Sequence, residues 1–155
     1  MKKIFVVLGA LCCAVGWTGS GGRKPSDAVY DAIRNDDFAA VERLVKQHGA
    51  NFADGGGSTP LLYAAAVGSE AMMRRLLELG ADAKWKNNSD ASALHWSGGS
   101  YARMKLLADR GADVNLRSKQ GHTPVLLAAS QAGGLAAVKM LLEKGAQLSG
   151  PPAEN

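Results

Sequence analysis

Cysteine, histidine and charge of one sign are all scarce in this chain of 155 residues. The two cysteines, Cys12 and Cys13, both lie near the N-terminus. The rest of the chain therefore has no disulfide framework and no Cys-x-x-Cys site. The three histidines, His48, His95 and His122, stand apart, and none falls in His-Glu-x-x-His or another paired metal-ligand spacing. Acids come one at a time, as at Asp82, Asp109, Asp113 and Glu143, so no Ser-His-Asp set can be assembled. These absences argue against an enzyme, and no cofactor or metal is expected.

Lys and Arg number 18 against 14 acids, a net charge of +4, of which Lys2 and Lys3 supply two. That excess is too small for a nucleic-acid footprint, and no cluster of aromatic and basic residues adds to it. Long apolar runs are missing too. The apolar run near the N-terminus, from Ile4 to Gly16, carries no charge and is short of the roughly 20 residues a spanning helix needs.

That stretch has another reading. Met1-Lys2-Lys3, then the apolar run, then Trp17-Thr18-Gly19-Ser20-Gly21-Gly22 is the order of a secretory signal peptide. We expect residues 1–20 to be a leader, cleaved after Gly16 by first choice and after Ser20 by second. The mature protein would be periplasmic or secreted, without cysteine, and would not span a membrane. A lipoprotein anchor is a minority alternative, because Leu11 before Cys12 and Cys12 before Cys13 make a poor lipidation site.

What is abundant is self-similarity. Ser58-Thr59-Pro60-Leu61-Leu62-Tyr63-Ala64-Ala65 leads to Leu76-Leu77-Glu78-Leu79-Gly80-Ala81-Asp82. Ala91-Ser92-Ala93-Leu94-His95-Trp96 leads to Leu107-Ala108-Asp109-Arg110-Gly111-Ala112-Asp113-Val114-Asn115. His122-Thr123-Pro124-Val125-Leu126-Leu127-Ala128-Ala129 leads to Leu141-Leu142-Glu143-Lys144-Gly145-Ala146. A weaker copy runs from Ala28 to Asn51. Closing glycines recur at 49, 80, 111 and 145, and opening Thr or Ser at 59, 92 and 123.

Each part has a physical role. Thr59, Ser92 and Thr123 can cap a helix with their hydroxyls. Pro60 and Pro124 then occupy the first helical position, where a missing N–H costs nothing. Ala64-Ala65 and Ala128-Ala129 let helices approach closely. Met73, Leu76 and Leu77 make one apolar stripe at i, i+3, i+4, as do Met104 with Leu107, and Val138 with Leu141 and Leu142. The glycines end the second helices in a left-handed conformation. In the weak first copy Ser26 before Asp27 should open a capping helix, with Arg34, Asn35, Asp36 and Asp37 facing solvent.

A period near 33 with this Thr-Pro-Leu-His type of opening resembles the ankyrin repeat, over residues 25–149. With the leader, the chain looks like an exported bacterial member of that family. The resemblance implies an all-α solenoid of about four stacked helix-turn-helix repeats with projecting hairpin loops, at residues 25–54, 55–87, 88–118 and 119–149 of a domain 21–155. Two departures are visible. Ser97-Gly98-Gly99-Ser100 lies where one repeat is about two residues short, so its first helix must be curtailed. One residue is extra near Gln131 to Gly134.

The resemblance also implies a protein partner, bound at the loop tips and the concave face of the first helices. The tips span Asp54 to Ser58, Trp85 to Ala91 and Arg117 to His122; the helix surface includes Ala66, Val67, Ser130 and Gln131. Candidate contact residues are Trp85, Lys84, Lys86, Asn88, Arg117, Lys119, Gln120, His122 and Gln131. Trp85 stands where the motif usually has a small or polar residue. It either contacts the partner or packs on its neighbouring loop. Tyr63 and Trp96 should fill the groove between helices and loops. Lys84, Lys86, Arg117 and Lys119 make an edge suited to an acidic partner. His95 should bond between neighbouring turns. Gly55-Gly56-Gly57-Ser58-Thr59 before a helix invites a phosphate-cradle reading, a weak one without a following Lys. The C-terminal edge carries Leu135, Ala136, Ala137, Met140 and Leu148. It is covered by a partner or second copy, is the cut end of a longer array, or lies under Pro151 and Pro152. An inhibitor or immunity-type protein masking an exported toxin or enzyme is the alternative function.

Overall fold

The computed structural model describes residues 24–148. The expected leader with Cys12 and Cys13, and the tail from Ser149 with Pro151 and Pro152, lie outside the described residues. Eight helices follow one another in pairs: α1 Pro25–Arg34 with α2 Phe38–His48, α3 Pro60–Val67 with α4 Glu70–Glu78, α5 Ala93–Trp96 with α6 Tyr101–Asp109, and α7 Pro124–Ala129 with α8 Leu135–Glu143. Each pair lies against the next. First helices meet first helices, and second meet second from α4 onward. Among the described residues the only extended pairing is a single bridge between Lys86 and Ser92.

One apolar core runs the length of the stack, from Val29 and Ile33 through Leu61, Leu62, Met72 and Met73 to Leu94, Met104 and Leu141. No pair could bury these stripes alone, so stability comes from stacking. Ala64, Ala65 and Ala128 are fully buried, the small contacts that let first helices pack. Gly49, Gly80, Gly111 and Gly145 all have φ between 84° and 94°, the left-handed conformation that closes a helix. The α5 helix has four residues where α3 has eight, as the short spacing around Ser97-Gly98-Gly99-Ser100 required.

Several sequence expectations need correction. The first helix is not opened by Ser26: it starts at Pro25 with Lys24 at the cap position, and Ser26 lies inside it. Asn35, Asp36 and Asp37 form the turn rather than a helix face. Asp37 caps α2 through Ala40 N, and Asp36 accepts from Ser69 Oγ. Thr59 caps nothing. Its hydroxyl is buried without a partner, whereas Thr123 Oγ1 accepts from Leu126 N. Ala129 and Leu142 are exposed, because the positions equivalent to Ala65 and Leu77 have no following repeat over them at this end of the described chain.

The outer helices are tied by ion pairs. Arg75 reaches Glu42 at 2.7 Å and Glu78 at 3.1 Å; Asp109 reaches Lys144 at 2.8 Å and Lys105 at 2.6 Å. The hydrogen bond from Lys105, with that from Lys144, draws the Asp109 carboxyl down to about 2. These pairs are solvated, so they fix the register of neighbouring repeats more than they add stability.

Candidate functional site

The hairpins between repeats are built alike. Counting back from Thr59, Ser92 and Thr123, the fifth residue before each is Asp54, Asn87 or Ser118. Each receives the tip with its own backbone and side chain. Asp54 N donates to Ser58 O, Asn87 N to Ala91 O and Ser118 N to His122 O. Asp54 Oδ1 accepts from Gly56 N and Ser58 N, Asn87 Oδ1 from Ser89 N and Ala91 N, and Ser118 Oγ from His122 N. Two residues before each opener the chain turns left-handed, at Gly57, Asp90 and Gly121. The N–H groups of Gly56, Gly57 and Ser58, which a phosphate cradle would need, are thus committed to Asp54, which overturns that reading.

Burial alone would raise the Asp54 carboxyl, but hydrogen bonds from Tyr63 and from the tip backbone outweigh it and hold it below its ordinary value. The Tyr63 hydroxyl donates to Asp54 Oδ2, and burial together with that carboxylate pushes the phenol upward. Tyr63 is thereby fixed as part of a ring column. Its ring lies 5.3 Å from Tyr30 and 6.2 Å from Trp96, both edge-on. Such pairs add about 0.5–1.5 kcal/mol each beyond their buried area. Tyr63 and Trp96 sit four residues after their openers, Tyr30 sits four after Ser26, and Leu127 takes the fourth place. The expectation that Tyr63 and Trp96 fill the groove between helices and loops is met. Tyr30 and Leu127 were missed, though counting four from Ser26 and Thr123 would have found them.

Adjacent hairpins bond through their tips. Asn88 N donates to Gly56 O and Lys119 N to Ser89 O, in equal register. Asn88 Nδ2 also reaches Gly55 O. The Trp85 indole N–H donates to Gly57 O at 2.9 Å, and its ring is half-buried against the core. Trp85 shares its register with Phe52 and Leu116, which are half-buried too. It therefore occupies an apolar strut position rather than a small or polar one, and it packs on the neighbouring loop.

His95 behaves as expected of a structural histidine. Its Nδ1 accepts from Ser92 N at 3.2 Å, so Nε2 carries the proton and donates to His122 O at 3.2 Å in the next hairpin. Burial holds its pKa below the ordinary value, keeping the neutral tautomer that this bridge needs. Asp82 and Asp113 bond local backbone, at Lys84 N and Asn115 N.

The remaining candidates are free at the surface. Lys84, Arg117, Lys119, Gln120, His122 and Gln131 are exposed, as are Ala66, Val67 and Ser130 on the first-helix side. Lys86 is exposed but lies 3.1 Å from Asp90. Gln131 packs beside Gly99, where a Cβ would fall 2.8 Å from its own. A hollow of about 210 Å³ opens between the last hairpin and the first helices, lined by Ala91, His95, Trp96, Ser118, Gln120, His122 and Leu127. A second, of about 370 Å³, lies under the first tip beside Lys24, Pro25, His48 and Phe52. Among the described residues no group of His, Cys, Asp or Glu is arranged to hold a metal, and no helix is long and apolar enough to cross a membrane.

Stacked helix pairs with bonded hairpins and an exposed polar concave side define a helical-repeat scaffold of the kind that presents a surface to other proteins. The chain belongs to the ankyrin repeat family. Residues 29–118 match the family described as ankyrin repeats in three copies, and residues 120–149 match a further ankyrin repeat. Relatives are found in much larger proteins. The E3 ubiquitin-protein ligase hecd-1 of Caenorhabditis elegans is 35% identical over 109 residues, 68% of this chain and 4% of that protein. Ankyrin repeat and SAM domain-containing protein 6 of Rattus norvegicus is 42% identical over 110 residues, 65% of this chain and 12% of that protein. Human inversin is 32% identical over 110 residues, 68% of this chain and 10% of that protein. This chain thus spans a small fraction of the relatives it matches, and only repeats are shared. Ankyrin repeats are generally modules for protein–protein interaction.

Proposed function

We propose that this chain is a non-catalytic, exported bacterial interaction module that binds one protein partner through its hairpin tips and concave helix face. One observation carries the reading. The bonds that build the stack consume the side chains of Trp85, Asn88, His95 and Asp54, and leave those of Arg117, Lys119, Gln120 and His122 unspent on the last hairpin and that of Lys84 unspent on the one before it. A scaffold keeps its fold in one residue set and its specificity in another. Export rests on the leader pattern of residues 1–20. The concentration of free cations on one edge favours, as a second reading, an inhibitor or immunity-type protein that masks an exported toxin or enzyme.

Affinity capture from the exported fraction tests the reading, with Arg117→Glu/Lys119→Glu and Trp85→Phe as paired baits. One saturable partner lost with the first variant and kept with the second is expected. Equal recovery with both would remove the tips from the site. N-terminal sequencing of the exported form should start at Trp17 or Gly21, and a chain that keeps Met1 in the cytoplasm would refute export.

A further inference from the structure

Because hairpins stack in register, residues at equal distance from the openers form columns along the molecule. Six residues before each opener stand Ala53, Lys86 and Arg117; four before stand Gly55, Asn88 and Lys119. Both columns pass from uncharged to cationic along the stack. The acids nearby are committed, Asp90 to Lys86 and Asp113 to Asn115 N. Arg117, Lys119 and Lys84 have no acidic partner among the described residues. The hollow beneath this charged end has an apolar floor, where the half-buried rings of the column give way from Trp96 to Leu127. Its walls are Gln120 and His122, which hold the registers of Gly56 and Ser58 in the first hairpin, so only here does the groove have polar walls of any size. The larger hollow at the other end has Lys24 and His48 as well as the Asp54 carboxylate on its lining, and the tip columns beside it hold Ala53 and Gly55 in place of cations.

From this we infer that the partner contacts the chain through an extended acidic segment carrying one apolar side chain, which enters the hollow between Trp96 and Leu127 while its carboxylates meet Arg117 and Lys119. The inference rests on the interaction-module reading and adds to it where the partner sits and what its contacting segment is made of. An extended strand suits the site because its side chains alternate, so one can point into the hollow while its neighbours face the rim. Gln120 and His122 would supply hydrogen bonds to the segment's backbone, the small set of placed polar groups that fix orientation in a mostly apolar pocket.

The test is titration of the purified protein with a defined peptide, four glutamates, a leucine and four glutamates, with capped ends. The readout is the indole N–H resonances, assigned with Trp85→Phe and Trp96→Phe. The Trp96 signal should shift and the Trp85 signal, bonded to Gly57 O, should not. Arg117→Glu/Lys119→Glu should weaken binding by about tenfold, the sum of rim charge pairs worth a few tenths to one kcal/mol each, and binding should weaken as salt rises. Replacing the peptide leucine by glycine should weaken it by a similar factor. Backbone spectra of the variants confirm the fold. Absence of binding at millimolar peptide, shifts confined to another face, or equal binding of the leucine and glycine peptides would each overturn the inference. None of these would touch the broader reading, which stands or falls on capture from the exported fraction.

Discussion

The guanidinium of Arg103 in α6 donates to Ala65 O at 2.9 Å and to Gly68 O at 2.8 Å, at the end of α3 one repeat earlier. Counted from the closing glycines, Arg103 holds the register of Met72 and Ala137, both buried. The shortened α5 explains the difference. It ends at Trp96, while α3 continues to Val67, so on the following side no first helix of equal length lies beside the last turn of α3. Helix ends leave carbonyls without partners, and a cation there also meets the negative end of the helix dipole. Arg103 supplies both.

Arg103→Ala should therefore lower stability by about 1.5–3 kcal/mol, the range for hydrogen bonds to a charged group. Arg103→Lys should restore less than half of the loss, since an ammonium is a point charge and not a two-armed fork. Urea unfolding of the three proteins gives the comparison. Equal midpoints for wild type and Arg103→Ala would show that the tether contributes nothing.

Two threonines in the same register should respond in opposite ways. Thr59 Oγ1 is buried without a partner, whereas Ser92 Oγ in the next repeat meets His95 Nδ1 at 3.1 Å. Thr59→Val removes an unpaired hydroxyl and should be neutral or stabilising by up to about 1 kcal/mol. Thr123→Val removes the cap on Leu126 N and should cost about 1 kcal/mol. Thermal melts of both variants would settle the pair, and a clear loss for Thr59→Val would mean that its hydroxyl is bonded.

The His95 bridge makes stability depend on pH. Burial lowers its folded pKa below the 6.5 of the free side chain, and the hydrogen bonds with the His122 and Leu116 backbone oppose that shift without cancelling it. The unfolded chain then binds the proton first, so this contribution is complete above about pH 6.5 and fades as pH falls through the lowered folded value. The urea midpoint should drop between pH 7.5 and pH 5, and His95→Gln should flatten that part of the profile. A His95→Gln profile parallel to wild type would remove His95 as the cause.

Glycine matters for different reasons at two hairpin tips. At Gly57, φ is +78° and a Cβ would fall 2.8 Å from Asn88 Oδ1 and 3.0 Å from its backbone N, in the loop bonded to it. At Gly121, φ is +82° but the nearest atom is the Arg117 guanidinium at 3.8 Å. Gly121→Ala should cost about 1 kcal/mol for the left-handed backbone alone, and Gly57→Ala measurably more. Equal losses would indicate that the second hairpin yields without cost.

Much of the architecture was legible because it is periodic. The closing glycines, the Thr-Pro openers and the alanine pairs each act within a single helix pair, and their recurrence announced the succession of helix pairs and the short α5. The contact candidates were harder to read. Trp85 allowed two readings, contact with a partner or packing on its neighbouring loop; only the register shared with Phe52 and Leu116, and the carbonyl of Gly57 in the preceding hairpin, show it to be a strut. Asn88 likewise looked free and spends its amide on Gly55. Arg103 gave no signal, because its partners lie on another helix more than thirty residues earlier.

The sequence by itself determined that this chain is a row of helix pairs, since capping, turn chemistry and amphipathic spacing are local and repeat with one period. Tertiary structure alone decided which polar side chains are left over for a partner. Whether a loop residue faces solvent or the next hairpin depends on the stacking of one repeat upon another, and that contact joins residues far apart in the chain.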